Sequence, residues 1–486
     1  MTINLDPLFY PKSIAVIGAS PNVIRDRAGF FNSLRECYKG KLFAVNPKHT
    51  EIHGIRCYPS ILDIPEKIDY AMILLPRDKV KDALAECVTA LVSFVLVFSS
   101  GFSEIGDEEK EKELTSVLEK GNTRMIGPNC IGVTCSESGV VYYPQLLQKP
   151  GGTVGYFSQS GGHALNFLIR GISSGLEFNK VVSLGNQTDL TIEDFLEYFI
   201  GDDRIKVICG YVEDIKNGER FKNLARKTVA EYKKPLVLWK GGRSLDGARA
   251  TQSHTGALAI PTAIWDAAMK QLGVINAESQ EEMADILLAL KCGMRPMGKK
   301  VAIVVAGGGS SVELTDAASF GDLSVPILSD AVQEKIARDI SNVNTSTKNP
   351  VDLGMFGFAP SIFVNTAKLA AEDPNVDVVL VCQYPEMIKV MVKELWDISI
   401  STIVDGLKEV KKPVIVILPK IFQNNPAMEA VRAEFIGKLN EKGIVSYSSA
   451  ERAARVISKL IDYYRFLENH KETDVENQFF KTKSAR

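Results

Sequence analysis

Five histidines are spread over the 486 residues, and one of them, His254, stands among residues too small to crowd its ring. The stretch Ala250-Thr251-Gln252-Ser253-His254-Thr255-Gly256-Ala257-Leu258-Ala259 is small and polar and reads as a loop, with a helix expected over 261–272. Upstream, Lys240-Gly241-Gly242-Arg243-Ser244 closes an apolar run. A lone loop histidine is often mere surface. One that follows a strand-end glycine turn is placed for chemistry, because neutral imidazole is a nucleophile near pH 7 and can carry a phosphoryl group covalently. Two further stretches would complete such a site. Ser158-Gln159-Ser160-Gly161-Gly162 opens a helix after an apolar run, so its N–H groups can hold an anion. Glu213, just after Val207–Val212, is either an exposed strand-end carboxylate or the acceptor that fixes the tautomer of His254.

A second candidate site lies near the N-terminus. Val16-Ile17-Gly18-Ala19-Ser20, with Gly29 beyond it, is spaced more loosely than G-x-G-x-x-G. It is either a plain turn or a backbone cradle for a phosphate-bearing ligand. Arg25 and Arg27 add positive charge nearby, and Val45-Asn46-Pro47-Lys48 ends the next apolar run. An acidic residue there would hold a ribose diol; Asn46 and Lys48 stand in its place, which disfavours NAD and suits a phosphorylated nucleotide such as coenzyme A. Similar strand-end loops follow at Pro76-Arg77, Ser99-Ser100-Gly101-Phe102 and Gly127-Pro128-Asn129-Cys130.

These stretches must be positioned by a repeating element. Three times an unbroken apolar run meets a glycine turn and then a helical pattern: Ser13–Ile17 before Gly18, 152–157 before Gly161-Gly162, and 300–306 before Gly307-Gly308-Gly309. Unbroken apolar runs are the mark of strands buried on both faces of a parallel sheet. Further runs at Lys41–Val45, 70–75, 94–98, 125–126, 180–183, Val207–Val212, 236–239, Val378–Cys382 and 413–418 alternate with helical patterns such as 78–88 and 279–291, as in βαβ units. The expected class is α/β with three open parallel-sheet domains. A Rossmann-like domain covers 1–148, a flavodoxin-like domain carrying the histidine covers 149–295, and a second flavodoxin-like domain covers 296–467. The polar stretch 468–486 is a loose end or a late docking segment. The charged run 104–113 reads as a solvated helix face.

Composition narrows the function classes. With 57 Lys+Arg against 59 Asp+Glu, net charge −2, there is no electrostatic reason to expect nucleic acid or an anionic membrane as partner. No run approaches the roughly 18 apolar residues needed to span a bilayer, and residues 1–10 contain no apolar signal core, so a cytoplasmic protein is expected. The eight cysteines are scattered without CxxC spacing and read as reduced thiols, so no metal site is expected.

Taken in order, VIGAS, VNPK, SSGF-E, IGPNC-G, SQSG, the strand-end Glu213, KGGRS and SHTGALA resemble the NDP-forming acyl-CoA synthetase superfamily. The similarity is greatest to the alpha subunit of ADP-forming acetyl-CoA synthetases, and the succinyl-CoA synthetase alpha subunit is more distant. The third unit, 296–467, with Gly307–Ser311 and Asn349-Pro350-Val351-Asp352, resembles the extra ligase-type domain of the ADP-forming branch. The resemblance implies that phosphate attacks acyl-CoA to give acyl phosphate, that His254 takes the phosphoryl group, and that ADP accepts it on an ATP-grasp domain. It implies roles for Glu213 in orienting His254 and for Ser158, Gln159, Ser160, Gly161 and Gly162 in cradling phosphate. It places coenzyme A against Gly18, Ala19, Ser20, Arg25, Asn46, Lys48, Pro76, Ser100, Gly101 and Asn129. All three α/β units are used and no G-x-x-x-x-G-K-[ST] loop occurs, so ADP/ATP and Mg are expected on a separate ATP-grasp beta subunit, in an α2β2 assembly. The sequence leaves the acid open among acetate, another short acyl group and an aryl acid. Two rivals stand beside this reading: a non-catalytic CoA-binding regulatory module, and a nicotinamide-dependent dehydrogenase suggested only by the first glycine turn.

Overall fold

The computed structural model describes residues 3–21, 29–255 and 260–483, with the side chains of 252–255 and 471–483 outside the description. The fold is α/β, with three mostly parallel sheets. The chain divides into two compact units, Met1–Met283 and Ala284–Arg486.

The first unit holds two sheets. The first contains β1 (Ser13–Ile17), β2 (Lys41–Val45), β3 (Glu51–Ile52), β4 (Ile55–Tyr58), β5 (Tyr70–Ile73), β6 (Phe94–Val97) and β7 (Arg124–Ile126), in the order β3-β4-β2-β1-β5-β6-β7. Apart from the β3–β4 hairpin, its pairings are parallel. Strands β1, β5 and β6 are buried at every position, which explains their unbroken apolar sequences. The second sheet contains β8 (Gly132–Cys135), β9 (Val154–Ser158), β10 (Phe178–Ser183), β11 (Val207–Val212), β12 (Leu236–Lys240) and β13 (Ile275–Ala277), in the order β13-β12-β11-β9-β10-β8. Only β8 runs antiparallel, against β10. Residues 132–135 precede the expected division at 148/149 yet hydrogen-bond into the second sheet. A four-residue edge strand carries too little periodicity to be seen in sequence.

Two side-chain networks knit these sheets together. Arg124 at the start of β7 grips Asp189 with both carboxylate oxygens between 2.7 and 3.0 Å, and Asp189 also accepts from the Met125 N–H at 2.7 Å. Asn186 Nδ2 donates to Ser103 Oγ (3.2 Å), Glu104 Oε2 (2.7 Å) and Glu111 Oε2 (3.0 Å), while Thr188 Oγ1 donates to Glu111 Oε1 at 2.6 Å. The run 104–113 is therefore not simply a solvated face. Two of its carboxylates turn inward because the loop 186–188 brings hydrogen-bond donors to them.

Lys180 lies inside the second sheet, fully buried, with Nζ 2.6 Å from Asp202 Oδ2 and from Asn179 Oδ1. It also sits over the rings of Phe9, Tyr10 and Tyr198, which spread its charge through cation–π contacts. This pins the short N-terminal helix Asp6–Phe9, with Phe9 stacked on Tyr198 at 5.2 Å.

The second unit has one sheet, with β14 (Val301–Val305), β15 (Val351–Asp352), β16 (Val378–Cys382), β17 (Val414–Ile417) and β18 (Val445–Tyr447) all parallel in the order β15-β14-β16-β17-β18. That is the flavodoxin-like order. Asp352 Oδ1 accepts from the N–H of Gly307 (3.1 Å) and Gly354 (2.9 Å), closing the third glycine turn. The helix Ala450–Lys483 continues well past 468, so the polar stretch is helical backbone through 483 and not a loose end. Its abundance of Glu, Lys and Asn hides a helix because these residues carry no apolar period there.

Candidate active site

The sheet orders decide where chemistry can occur. In the second sheet the chain order reverses between β9 and β11, and in the first between β1 and β5. Ligands in open α/β sheets lie at the carboxyl ends of strands at such reversals. Ser158–Gly162 leaves β9 and Glu213 leaves β11; Gly18–Ser20 leaves β1 and Pro76 follows β5.

At the end of β9, Ser160 caps the helix Gly161–Ser173, its Oγ accepting from the His163 N–H at 3.3 Å. Gly161 and Gly162 form the first turn of that helix, where N–H groups have no partner within the helix. Gln159, next to Ser160, is anchored by its side-chain oxygen. Its Oε1 accepts from the N–H of Glu213 and, at 2.9 Å, from that of Asp214. Ser158 is fully buried and its Oγ donates to the Ser160 carbonyl at 2.7 Å, so it shapes the turn from below.

Glu213 is only 6% exposed. Burial first, and then the nearby Glu213 carboxylate, push the Tyr211 phenol well above its usual range. The Tyr211 ring packs at a tilt against His163 (4.5 Å) and Trp239 (4.6 Å), which also meet each other edge-on at 4.9 Å. A Cβ on Gly241 would come within 2.4 Å of Tyr211 Oη, which accounts for the first glycine of the KGGRS turn. Beside it Lys240 is almost wholly buried, donates to the Gly241 carbonyl at 2.9 Å, and has its pKa lowered by burial and by Arg243. Tyr211 and His163 were not singled out in the sequence. The available signal was Tyr211's place two residues before Glu213, on the same strand.

A cavity of about 350 Å3 opens between the two sheets of the first unit. Phe98, Ser99, Ser100, Asn129, Cys130 and Ile131 line it from the first, and Gln159, Ser160, Gly161 and Gly162 from the second. Six predicted site residues thus meet: Ser100, Asn129 and the four of the SQSGG turn from Gln159 on. The Asn129 N–H donates to the Ser99 carbonyl at 2.9 Å, and its positive φ of 61° is a conformation asparagine tolerates. Burial pushes the Cys130 thiol up to about 12, so it stays protonated and inert at neutral pH.

Other predicted residues stand outside this lining. Gly18 has φ +92° and a Cβ there would meet the Leu74 carbonyl at 3.0 Å, so the turn requires glycine. Asn46 Nδ2 donates to the Ala19 carbonyl (2.8 Å) and its Oδ1 accepts from the Lys48 N–H (3.0 Å), which ties the loop after β2 to the loop after β1. Ser20 is buried, while Lys48 and Pro76 are exposed. Gly101 is held by Arg77, whose Nη1 donates to its carbonyl at 2.7 Å. Arg25 lies outside the described residues.

His254 falls on the helix Leu245–Thr255, not in a loop. Small, polar residues do not forbid helix; Ala250 and Ala248 favour it, and the Ser244 carbonyl accepts the first-turn N–H of Ala248 at 2.7 Å. This helix packs against the turn Ser103–Ile105, next to the Ser99–Gly101 loop that contributes to the cavity. The side chain of His254 is outside the description. The helix expected over 261–272 is present as Thr262–Leu272. Among the described residues no group of three or more His, Cys, Asp or Glu is arranged to hold a metal ion, and no helix is long and apolar enough to cross a membrane.

Comparison with known proteins gives the same architecture. A CoA binding domain model matches residues 12–136, and a succinyl-CoA ligase like flavodoxin domain model matches 151–290. The alpha subunit of acetate–CoA ligase [ADP-forming] II of Pyrococcus furiosus is 33% identical, over 94% of this chain and 97% of its own length. The alpha subunit of acetate–CoA ligase [ADP-forming] I from the same organism is 35% identical over 97% of this chain and all of its own. Among solved structures, acetyl-coenzyme A synthetase 1 of Ca. Korarchaeum cryptofilum, in complex with phosphate and ADP, superimposes with a TM-score of 0.79 at 31% identity, covering 97% of this chain and 99% of that one. With matches of this identity running the length of both partners, the chain belongs to the family of ADP-forming acyl-CoA ligase alpha subunits.

Proposed function

We propose that this chain is the alpha subunit of an ADP-forming acyl-CoA synthetase, interconverting acyl-CoA, ADP and phosphate with the free acid, CoA and ATP, and that acetyl-CoA is the first substrate to test. The observation that carries the reading is the cavity in which the Ser160–Gly162 helix start faces the Ser100 and Asn129 loops of the CoA-type domain. Phosphate held by the helix N–H groups is neutralised there without a basic side chain. Its oxygen attacks the acyl carbonyl, the C–S bond breaks, and the CoA sulfur leaves with the proton that phosphate gives up. A ring nitrogen of His254 then attacks phosphorus, the bond to the acyl oxygen breaks, and the carboxylic acid departs. Glu213, fixed by Gln159 and set beside Tyr211, is the acceptor for the proton on the other ring nitrogen and stabilises the cationic ring as the new bond forms.

The phosphoryl group passes to ADP on a beta subunit with an ATP-grasp domain, which also holds Mg. The two chains assemble as α2β2. CoA lies along Gly18, Ala19, Ser20, Arg25, Asn46, Lys48 and Pro76 toward Ser100, Gly101 and Asn129. The hydrogen bond that ties the loop after β2 to the loop after β1 supports this path, since it brings the two strand ends together. The three sequence units act as domains divided near 148 and 295.

The test uses the purified chain with acetyl-CoA and radiolabelled phosphate. Acid-labile, base-stable label on the protein that disappears in His254→Ala is the expected result. Labelling by a different acyl-CoA alone would change the substrate and keep the mechanism. No label with any acyl-CoA, even with an ATP-grasp partner present, would overturn the reading and leave a CoA-binding module.

A further inference from the structure

The cavity at the helix start has one wall that is both apolar and thin. Ile131 faces the Gly161 end, its Cγ2 only 3.7 Å from where a Cβ on Gly161 would stand. If phosphate sits at Gly161 and Gly162, the acyl carbon it attacks lies beside this side chain. Ile131 also lines a second, smaller cavity of only about 10 Å3, whose other walls are mostly apolar, Val141, Tyr142, Leu146, Leu165 and Leu168 among them. One isoleucine side chain is therefore common to the polar cavity and to an apolar space behind it.

The backbone beneath Ile131 is held in place. Its N–H donates to Ser183 Oγ at 3.2 Å, Cys130 before it is buried, and Gly132 after it has φ +75° in close contact with Tyr70 and Leu96. The wall cannot step aside by a loop shift, so only the size of the side chain at 131 sets the depth available. Among the described residues, the lining of the first cavity, from Phe98 to Gly162, includes no lysine or arginine to meet an ionised acyl tail.

We infer that Ile131 sets the acyl-chain length the site accepts, and that the apolar space behind it is an extension of the acyl site. The inference rests on the proposed reaction. Truncating isoleucine to alanine removes three carbons, room for a longer aliphatic tail against Val141, Leu165 and Leu168. A methylene in an apolar pocket changes discrimination by roughly 10–200-fold.

Phosphate-dependent release of CoA thiol from acetyl-, butyryl- and hexanoyl-CoA, followed in single turnovers with wild type, Ile131→Val and Ile131→Ala, tests this. The expected result is a hexanoyl-to-acetyl rate ratio that rises about tenfold or more in Ile131→Ala, and in the same direction but less in Ile131→Val. If Ile131→Ala does not fold, the direction of the valine shift decides. Ratios within twofold of wild type, in variants that still release CoA from acetyl-CoA, overturn the inference and leave the reaction standing. Wild type that releases no CoA from any of the three overturns the inference, and overturns the reaction as well only if no other acyl-CoA labels the protein.

Discussion

Gln159 offers a sharp test of how the site is held. Its side-chain oxygen is the acceptor for two consecutive backbone N–H groups, those of Glu213 and Asp214, and its own N–H donates to the Tyr211 carbonyl at 3.3 Å. Gln159→Met keeps the length and most of the volume but removes the acceptor. An orphaned buried N–H costs about 1–3 kcal/mol. Glu213 is buried, so its N–H bears the larger share; Asp214 is partly exposed and recovers some water, which gives about 2–4 kcal/mol in all. Gln159→Glu keeps both bonds but sets a second carboxylate beside Glu213, and like charges raise the pKa at which such a pair ionises. Urea unfolding and the rate of protein phosphorylation by acyl-CoA and phosphate, measured across pH, separate the two effects. Gln159→Met should unfold at lower urea and label on the order of 10–100 times more slowly. Gln159→Glu should come closest to wild type in stability below about pH 4, where the carboxyls are protonated, and lose stability as the pH rises, with the acid limb of its rate profile moved to higher pH. A methionine variant within about 0.5 kcal/mol of wild type and labelled at the wild-type rate would refute the idea that Gln159 positions Glu213.

Two other sites yield firm expectations. Lys180→Met leaves Asp202 buried with Arg204 as its remaining cation and should cost about 3–5 kcal/mol in urea unfolding. Burial pushes the Asp202 carboxyl up, but hydrogen bonds from Arg204 and Lys180 outweigh it and hold the group at about 2. Because the folded value lies below the unfolded one, this contribution is complete above about pH 4 and lost as the pH falls toward 2; the methionine variant should show a shallower loss over that window. Gly185→Ala would place a Cβ 2.1 Å from the Pro128 carbonyl oxygen at a φ of +60°, so unfolding free energy should fall by about 3 kcal/mol or more. An alanine variant as stable as wild type would show that the loop 127–129 yields easily.

Much of the scaffold was legible because buried parallel strands advertise themselves. Ser13–Ile17, Lys41–Val45, Val207–Val212 and Val378–Cys382 were bounded to the residue. The strands that escaped, β3, β4, β8, β13, β15 and β18, have two to four residues, too few for any period to emerge. The strand-end glycine turns pointed to the cavity correctly, since a turn requiring positive φ or close approach leaves a mark in composition. What a turn's side chains do was not legible. Gln159 and Ser158 read as ligand contacts, but the bonds that hold them, Gln159 to the Asp214 N–H and Ser158 to the Ser160 carbonyl, did not show in the sequence. A hydrogen bond across 54 residues has no local signature. The histidine segment misled for a related reason: short, polar residues are compatible with loop and helix alike, and tertiary contact with Ser103–Ile105 accompanies the helix.

The Asn186 amide, shared between Glu104 and Glu111, also bears on how this fold can be recombined. Residues 103–111 and 186–188 form a lock whose two halves are about 80 positions apart in the chain but useless singly. A chimera joined anywhere between them would inherit one half from each parent. Such a graft would leave the two inward carboxylates with only the backbone N–H groups of 101–103 as donors, unless both parents share the asparagine and threonine. Domain exchange within this architecture is therefore modular only when the exchanged block carries the whole lock, or when its four side chains are transplanted with it.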